Sequence, residues 1–399
     1  MSAAVKKLPA GDGLVPKAQA QALGRIFMAC AAVGLALSAA GYLTDPKHFA
    51  HSWLVGFVNV WTICMGGLFF TIIHHLTKAS WSVGPRRVME WLSRGLPACA
   101  VVFLPILAFS KDLFVWMRPE AAHDELIQSK TAYLNQPFFL VRVVVYFGLW
   151  ILLSAFFAGK SRAQDASGDR TLSERMQARA APSAVVFALS ITFAGFDWLM
   201  SLDPHWFSTM FGVYIFAGAL VGSHAVLALA TLRINKERWG GDVVTTEHQH
   251  DVGKYLFAWV VFWAYIGFSQ FMLIWYANIP EETIFYRHRW EHGWSVVSLT
   301  LVIGHFVLPF LILLSRTAKR TGILAIGAVL LLAMHYVDIY WLVMPSFSHH
   351  FHPSWIDLGG LLAPLGLVGT WVSRRVLVDP VVPMKDPYLA EAMKAENLV

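Results

Sequence analysis

The sequence predicts an all-α, polytopic membrane protein with ten transmembrane helices. Three observations carry that reading. Of the 399 residues, 57% are hydrophobic and only 14% are charged, and the mean hydropathy is +0.54; neither an ordinary soluble domain nor a disordered chain has that balance. The apolar runs are long and continuous, whereas a membrane β-barrel would alternate in ten-residue segments. Lys and Arg gather in every second connection between runs, as membrane topology requires.

Taken in order, residues 1–23 are polar, carry Pro9, Gly11, Gly13 and Pro16, and read as a disordered or surface-lying cytoplasmic lead. The first run, Ile26–Leu43, contains Ser38-Ala39-Ala40, which looks like a signal-peptide cleavage site. The run and the lead before it are long for a secretory signal, so it reads as the first span. Nine more follow: Trp53–Leu76, Leu92–Leu113, Pro137–Ala158, Pro182–Leu202, Phe207–Leu232, Tyr255–Asn278, Trp294–Leu314, Gly322–Met344 and Ile356–Val372. Each is long enough for a hydrocarbon layer about 30 Å thick, the last being the shortest. The sequence permits a grouping of spans two to five (51–203) and six to nine (206–344) as two four-helix bundles inside a membrane domain of 24–375, with spans one and ten flanking and a cytoplasmic tail at 376–399.

Ten spans put both termini on one side. The connections on that side, with the termini, hold 24 Lys and Arg; the other side holds six, namely Lys47, Lys111, Arg118, Lys130, Arg287 and Arg289. The positive-inside rule makes the richer side, and both termini, cytoplasmic. The net charge of +6 is therefore a topology signal, and no nucleic-acid partner is expected. The three cysteines, Cys30, Cys64 and Cys99, lie apart in apolar runs and form no CxxC, covalent-haem or iron–sulfur pattern. The chain is expected to bind no metal or redox cofactor of its own; His349, His350 and His352 on one short loop read as polar surface.

Ionisable residues within apolar runs are costly and are the first candidates for function. Depth along the runs sorts them. Asp112, Arg142, Asp197, Asp338 and Asp357 lie toward the outer face, His305, His335 and Gln270 near the middle, and His74, His75 and His224 toward the inner face. His335 and Asp338, three apart, share a helix face. Arg142 and Asp197 lie at matching depths and can form an ion pair, either a structural clasp or part of a site. Asp112 and Asp357 near span ends read as wet, and His74 and His75 as interfacial. Three chemistries compete for this set: quinol deprotonation, proton relay through Asp197, His335, Asp338, His305, His224, His74 and His75, and haem ligation by His224, His305 and His335.

The segment FDWLMSLDPHWFSTMFGVYIFAG, residues 196–218, and HHLTKASWSVGPRRVMEW, residues 74–91, resemble the ActF-type membrane subunits of bacterial alternative complex III, within the NrfD/polysulfide-reductase superfamily. The resemblance runs from about residue 25 to 375. It implies ten helices in two four-helix bundles plus two flanking helices. It implies a quinol:cytochrome c, or other high-potential acceptor, oxidoreductase of the bacterial inner membrane, with menaquinol or ubiquinol as substrate of the complex. The implied partners are a paralogous quinol-binding membrane subunit, an iron–sulfur subunit, multihaem cytochrome c subunits that carry haem c, small membrane subunits and lipid. Asp197, His205 and Trp206 are the quinone-binding candidates, and Asp197 and the Trp206, Ser208 and Thr209 region match the quinone-site motif that the resemblance implies for the paralogue. There a histidine follows the tryptophan; here Phe207 does, and His205 precedes it. The alternatives are an independent secondary transporter and a quinone-binding anchor of a polysulfide-reductase-type complex.

Overall fold

A computed structural model describes residues 7–9 and 11–395. It is 80% helical, with no strand among the described residues. Ten helices are long and apolar enough to cross a membrane: α1 Lys17–Thr44, α2 Pro46–Leu76, α3 Ser80–Ala108, α4 Gln136–Ser167, α5 Arg170–Leu202, α6 Phe211–Glu237, α7 Thr246–Ala277, α8 Trp294–Leu314, α9 Ile323–Ser346 and α10 Trp355–Val376.

Local chemistry sets the joints. The Asp45 side chain accepts from His48 N, and Pro46 follows it, so α2 opens one residue after α1 closes. Asn135 and Pro137 open α4 in the same way. Gly168, at φ 69°, ends α4, and Asp169 caps α5 through Thr171 N. Ser354 and Asp357 form a capping box on α10. Several helices run beyond the apolar stretches, because hydropathy marks only the part facing lipid or core.

Three boundaries correct the sequence reading. Helix α1 begins at Lys17, inside the stretch expected to be the lead, and Lys7 N is held by Asp242 Oδ2 at 2.7 Å. Helix α3 begins twelve residues before Leu92, because the charges of its first turns are buried in mutual pairing. Arg86 and Arg87 both bind Glu90, at 3.1 and 2.8 Å, and reach on to Asp386 and Asp165. The tail expected from residue 376 is folded back: Val381 N donates to Gly13 O at 2.9 Å and Met384 N to Asp165 Oδ1 at 2.9 Å. Its last residues, 396–399, lie outside the described residues.

Helix α2 is the axis of the fold, with 83% of its apolar window buried against 22% for α1. It packs on α3, α5, α6, α9 and α10. Helices α3, α4 and α5 close on one side of it; α7, α8 and α9 join α6 on the other, and α1 lies along α10. Close approach is built from small residues, as in other membrane helix pairs. A Cβ on Gly359 would stand 2.8 Å from Ser38 N, and one on Gly56 would overlap the backbone carbonyl of Gly360. The α2–α5 side has an aromatic core in which Trp198 meets Phe103 at 4.6 Å and Trp61 at 4.9 Å between ring centroids. The α6–α9 side keeps most of the buried imidazoles.

Candidate functional site

The Arg142–Asp197 pair forms and is complete. The guanidinium meets the carboxylate twice, Nε to Oδ2 at 2.7 Å and Nη2 to Oδ1 at 2.9 Å. Tyr146 OH donates to Oδ2 at 2.7 Å, and Arg142 Nη1 to Tyr133 O at 2.9 Å. The faces of Tyr133 and Phe138 cover the guanidinium at 4.0 and 4.4 Å. Asp197 is fully buried. A carboxylate whose two oxygens hold three donors, two of them from one bidentate Arg, is a clasp between α4 and α5.

His335 and Asp338 share one face of α9, as their spacing implies. Both His335 Nδ1 and Asp338 Oδ2 lie within 4 Å of where a Cβ on Gly218 would stand, at 3.6 and 3.7 Å. Asp338 accepts from Tyr214 OH on Oδ1 and from Trp263 Nε1 on Oδ2 at 3.0 Å. Both donors are neutral, so this carboxyl, 2% exposed, has no ion-pair partner among the described residues. His335 Nε2 meets Thr62 Oγ1 at 2.8 Å, and that hydroxyl also meets Val58 O at 2.8 Å. With Thr62 donating to the carbonyl, His335 carries its proton on Nε2 and leaves Nδ1 without a partner.

His305 belongs to the same group. Its ring stands edge-on to Trp263, 3.9 Å between centroids, and both of its nitrogens lack a hydrogen bond. The backbone around it, Leu301–Val307, is π-helical. Pro309 accounts for that: it has no N–H for the His305 carbonyl four residues back and its ring presses on that carbonyl, so the turn widens. A buried donor and a buried acceptor left open cost about 1–3 kcal/mol each. Asp338, His335 and His305 therefore concentrate unpaid polarity at one level of the α6–α9 group.

Toward the face that carries the termini, His224 Nδ1 meets Leu220 O at 2.8 Å and Nε2 accepts from Trp259 Nε1 at 3.2 Å. His74 and His75, expected at the interface, are instead buried at 6% and 4% exposure, because Trp81 and the folded-back tail cover them. His74 Nδ1 and His75 Nε2 have no partner. The two imidazoles line a cleft with Lys78, Arg86, Asp386 and Tyr388, with space for about one water, ≈ 10 Å³.

At the opposite face the expected quinone-binding trio has separate partners. Asp197 is in the clasp. His205 is exposed and pairs with Asp124 at 2.7 Å, and Trp206 stacks on Phe285 at 3.9 Å. The backbone N–H of Ile127, then His205, holds the Asp124 carboxyl below its ordinary range. Asp112 is half-buried, but Asp357, expected to be wet, is buried: His48 Nε2 at 2.8 Å, Ser354 N at 2.8 Å and Tyr340 OH at 3.2 Å all donate to it. Gln270, expected mid-membrane, bonds Ser208 at 3.3 Å and Tyr286 at 3.2 Å and so belongs to the outer end of α7. His349 faces His288 and His350 faces His292, at 4.9 and 4.5 Å between rings. Among the described residues no group of three ligating side chains is arranged to hold a metal ion.

Sequence reasoning missed Tyr214, Trp263 and Thr62, the partners of Asp338 and His335, and it missed Arg289. In an apolar run a hydroxyl or indole used for bonding looks the same as one used for packing. No family model and no curated protein matches the chain. What the α6–α9 group can do chemically follows from its groups: one carboxyl held by neutral donors and two imidazoles with open nitrogens, His305 and His335, can hold and pass protons.

Proposed function

We propose that this chain is an integral membrane subunit of a bacterial quinol:cytochrome c, or other high-potential acceptor, oxidoreductase of the alternative complex III type, and that its α6–α9 half carries protons. It lies in the inner membrane with both termini cytoplasmic, a reading supported by the basic asymmetry of its connections. Helices α2–α5 and α6–α9 form two four-helix bundles and α1 and α10 flank them, a grouping supported by their packing partners. The chain binds no redox cofactor; haem c and iron–sulfur clusters sit in partner subunits, and the quinol is held by a paralogous membrane subunit.

The observation that carries the proton role is Asp338. Its two donors are neutral, it sits beside His335 Nδ1, and one of those donors, Trp263, also packs against the unpartnered ring of His305. A group at that depth that can take a proton without breaking an ion pair is suited to relay. His224 and then His74 and His75 continue the set inward. Asp197 is left outside it, because uptake of a proton there would strand Arg142.

Purification of the tagged chain in mild detergent tests membership. The proposal expects c-type haem absorbance and co-purifying iron–sulfur and multi-pass membrane chains by mass spectrometry. A chain that emerges alone, free of haem-bearing partners, would favour a secondary transporter.

A further inference from the structure

Polar groups do not stop at Asp338. Beyond it toward the outer face stand Tyr214, then Tyr286, Gln270 and Ser208, the last three joined side chain to side chain. A proton path with polar groups at both ends would short-circuit the membrane unless one end were closed.

Arg289 stands at that end. It is 5% exposed. Its guanidinium donates from Nε to Trp341 O at 3.1 Å, from Nη1 to Phe285 O at 2.9 Å and from Nη2 to Leu342 O at 2.9 Å. Phe285 covers one face, 3.4 Å from the ring centroid, and Trp341 lies at 5.0 Å. Among the described residues no carboxylate pairs with it; Asp203 acts on it only through space, as do the Tyr286 and Tyr214 hydroxyls. Burial pushes this group down to about 9, which leaves it charged at neutral pH. The fold thus keeps an unneutralised cation, held by carbonyls and aromatic faces, beside the outer polar stretch. A moving proton is also a cation, and a fixed like charge in a poorly hydrated passage raises its energy. The other end differs: the cleft of His74 and His75 has room for a water.

Building on the proton role proposed above, we infer that outside turnover the path opens only toward the termini-bearing face, and that Arg289 is the electrostatic stop that then closes it on the other side. Arg289 acts by its charge, and its three carbonyl bonds serve to fix that charge in place.

The test uses the chain with its co-purifying partners in liposomes, a pH-sensitive dye and an imposed pH gradient without quinol turnover. Arg289→Gln is expected to raise passive proton leak at least tenfold, while Arg289→Lys, which keeps the charge but not the planar fork, stays tight. Adding Asp338→Asn to Arg289→Gln is expected to abolish the leak. If assembled Arg289→Gln vesicles are as tight as wild type, or if Lys leaks as much as Gln, the stop is refuted. Should Arg289→Gln not assemble, Gln270→Glu takes its place. It keeps size and shape, sets a counter-charge in the same stretch and is expected to leak; tight vesicles refute the stop. An unchanged proton-to-electron ratio in Asp338→Asn alone would instead overturn the proton role itself.

Discussion

Replacing Asp197 by Asn should destabilise the fold and leave proton handling intact. The magnitude follows from the clasp. At a separation of 2.7–2.9 Å the attraction lost is about 4 kcal/mol or more for an effective dielectric of about 20. The amide nitrogen of Asn would also face a guanidinium donor. Arg142 keeps Tyr133 O and the two ring faces at 4.0 and 4.4 Å in both forms, so those contacts drop out of the difference. The net loss is about 3–5 kcal/mol, the usual cost of stranding one member of a buried pair. Removing both charges with Asp197→Leu and Arg142→Met leaves no buried charge, only Tyr146 OH and Tyr133 O without their partners, and should cost less than the single change. Unfolding by sodium dodecyl sulfate titration of wild type, Asp197→Asn and the Asp197→Leu/Arg142→Met double variant measures both values. A single-mutant loss below about 1 kcal/mol, or a double mutant as damaged as the single, would refute the clasp.

Two further outcomes follow from the packing and the outer loop. Gly56→Val drives side-chain carbons into the Gly360 carbonyl, an overpacking that costs upward of about 1–3 kcal/mol; the monodisperse yield of detergent-purified protein should collapse, and a normal yield would contradict the α2–α10 contact. The Asp124 carboxyl is depressed by Ile127 N–H and by His205, so its stabilisation of the 125–129 turn is present above its ordinary pKa, about 3.9, and is lost as pH falls through the lower folded value. Acid-protease cleavage in residues 114–136 should therefore rise only below about pH 4, and Asp124→Ala, which removes the acceptor for Ile127 N–H and His205, should be cut readily at pH 5; equal protection of the two at pH 5 would contradict this.

The sequence made the apolar architecture legible because lipid imposes it: ten runs became ten helices. It also exposed the His335–Asp338 face, since three residues on a helix fix proximity, and the Arg142–Asp197 pair, since depth alone brought them level. It failed where partners are far apart in the chain. The first turns of α3 read as a charged loop because Asp165 and Asp386, which neutralise Arg87 and Arg86, lie 78 and 300 residues away. His74 and His75 read as interfacial because nothing in their own run reveals that the tail folds over them. Asp357 read as wet because His48 and Tyr340, its donors, sit on other helices. Arg289 read as an outer-loop charge; only the fold shows its guanidinium turned inward onto three carbonyls.

The most direct test of the account is the proton-to-electron ratio of Asp338→Asn. Asn fits the site: its oxygen can accept from Trp263 and its amide can donate to Tyr214, so assembly should survive. The variant complex, reconstituted in liposomes with quinol and an electron acceptor, is read for electron transfer and for pH change together. The account predicts an assembled complex that still oxidises quinol but moves measurably fewer protons per electron. An assembled variant with the wild-type ratio would contradict it and leave the chain a scaffold only.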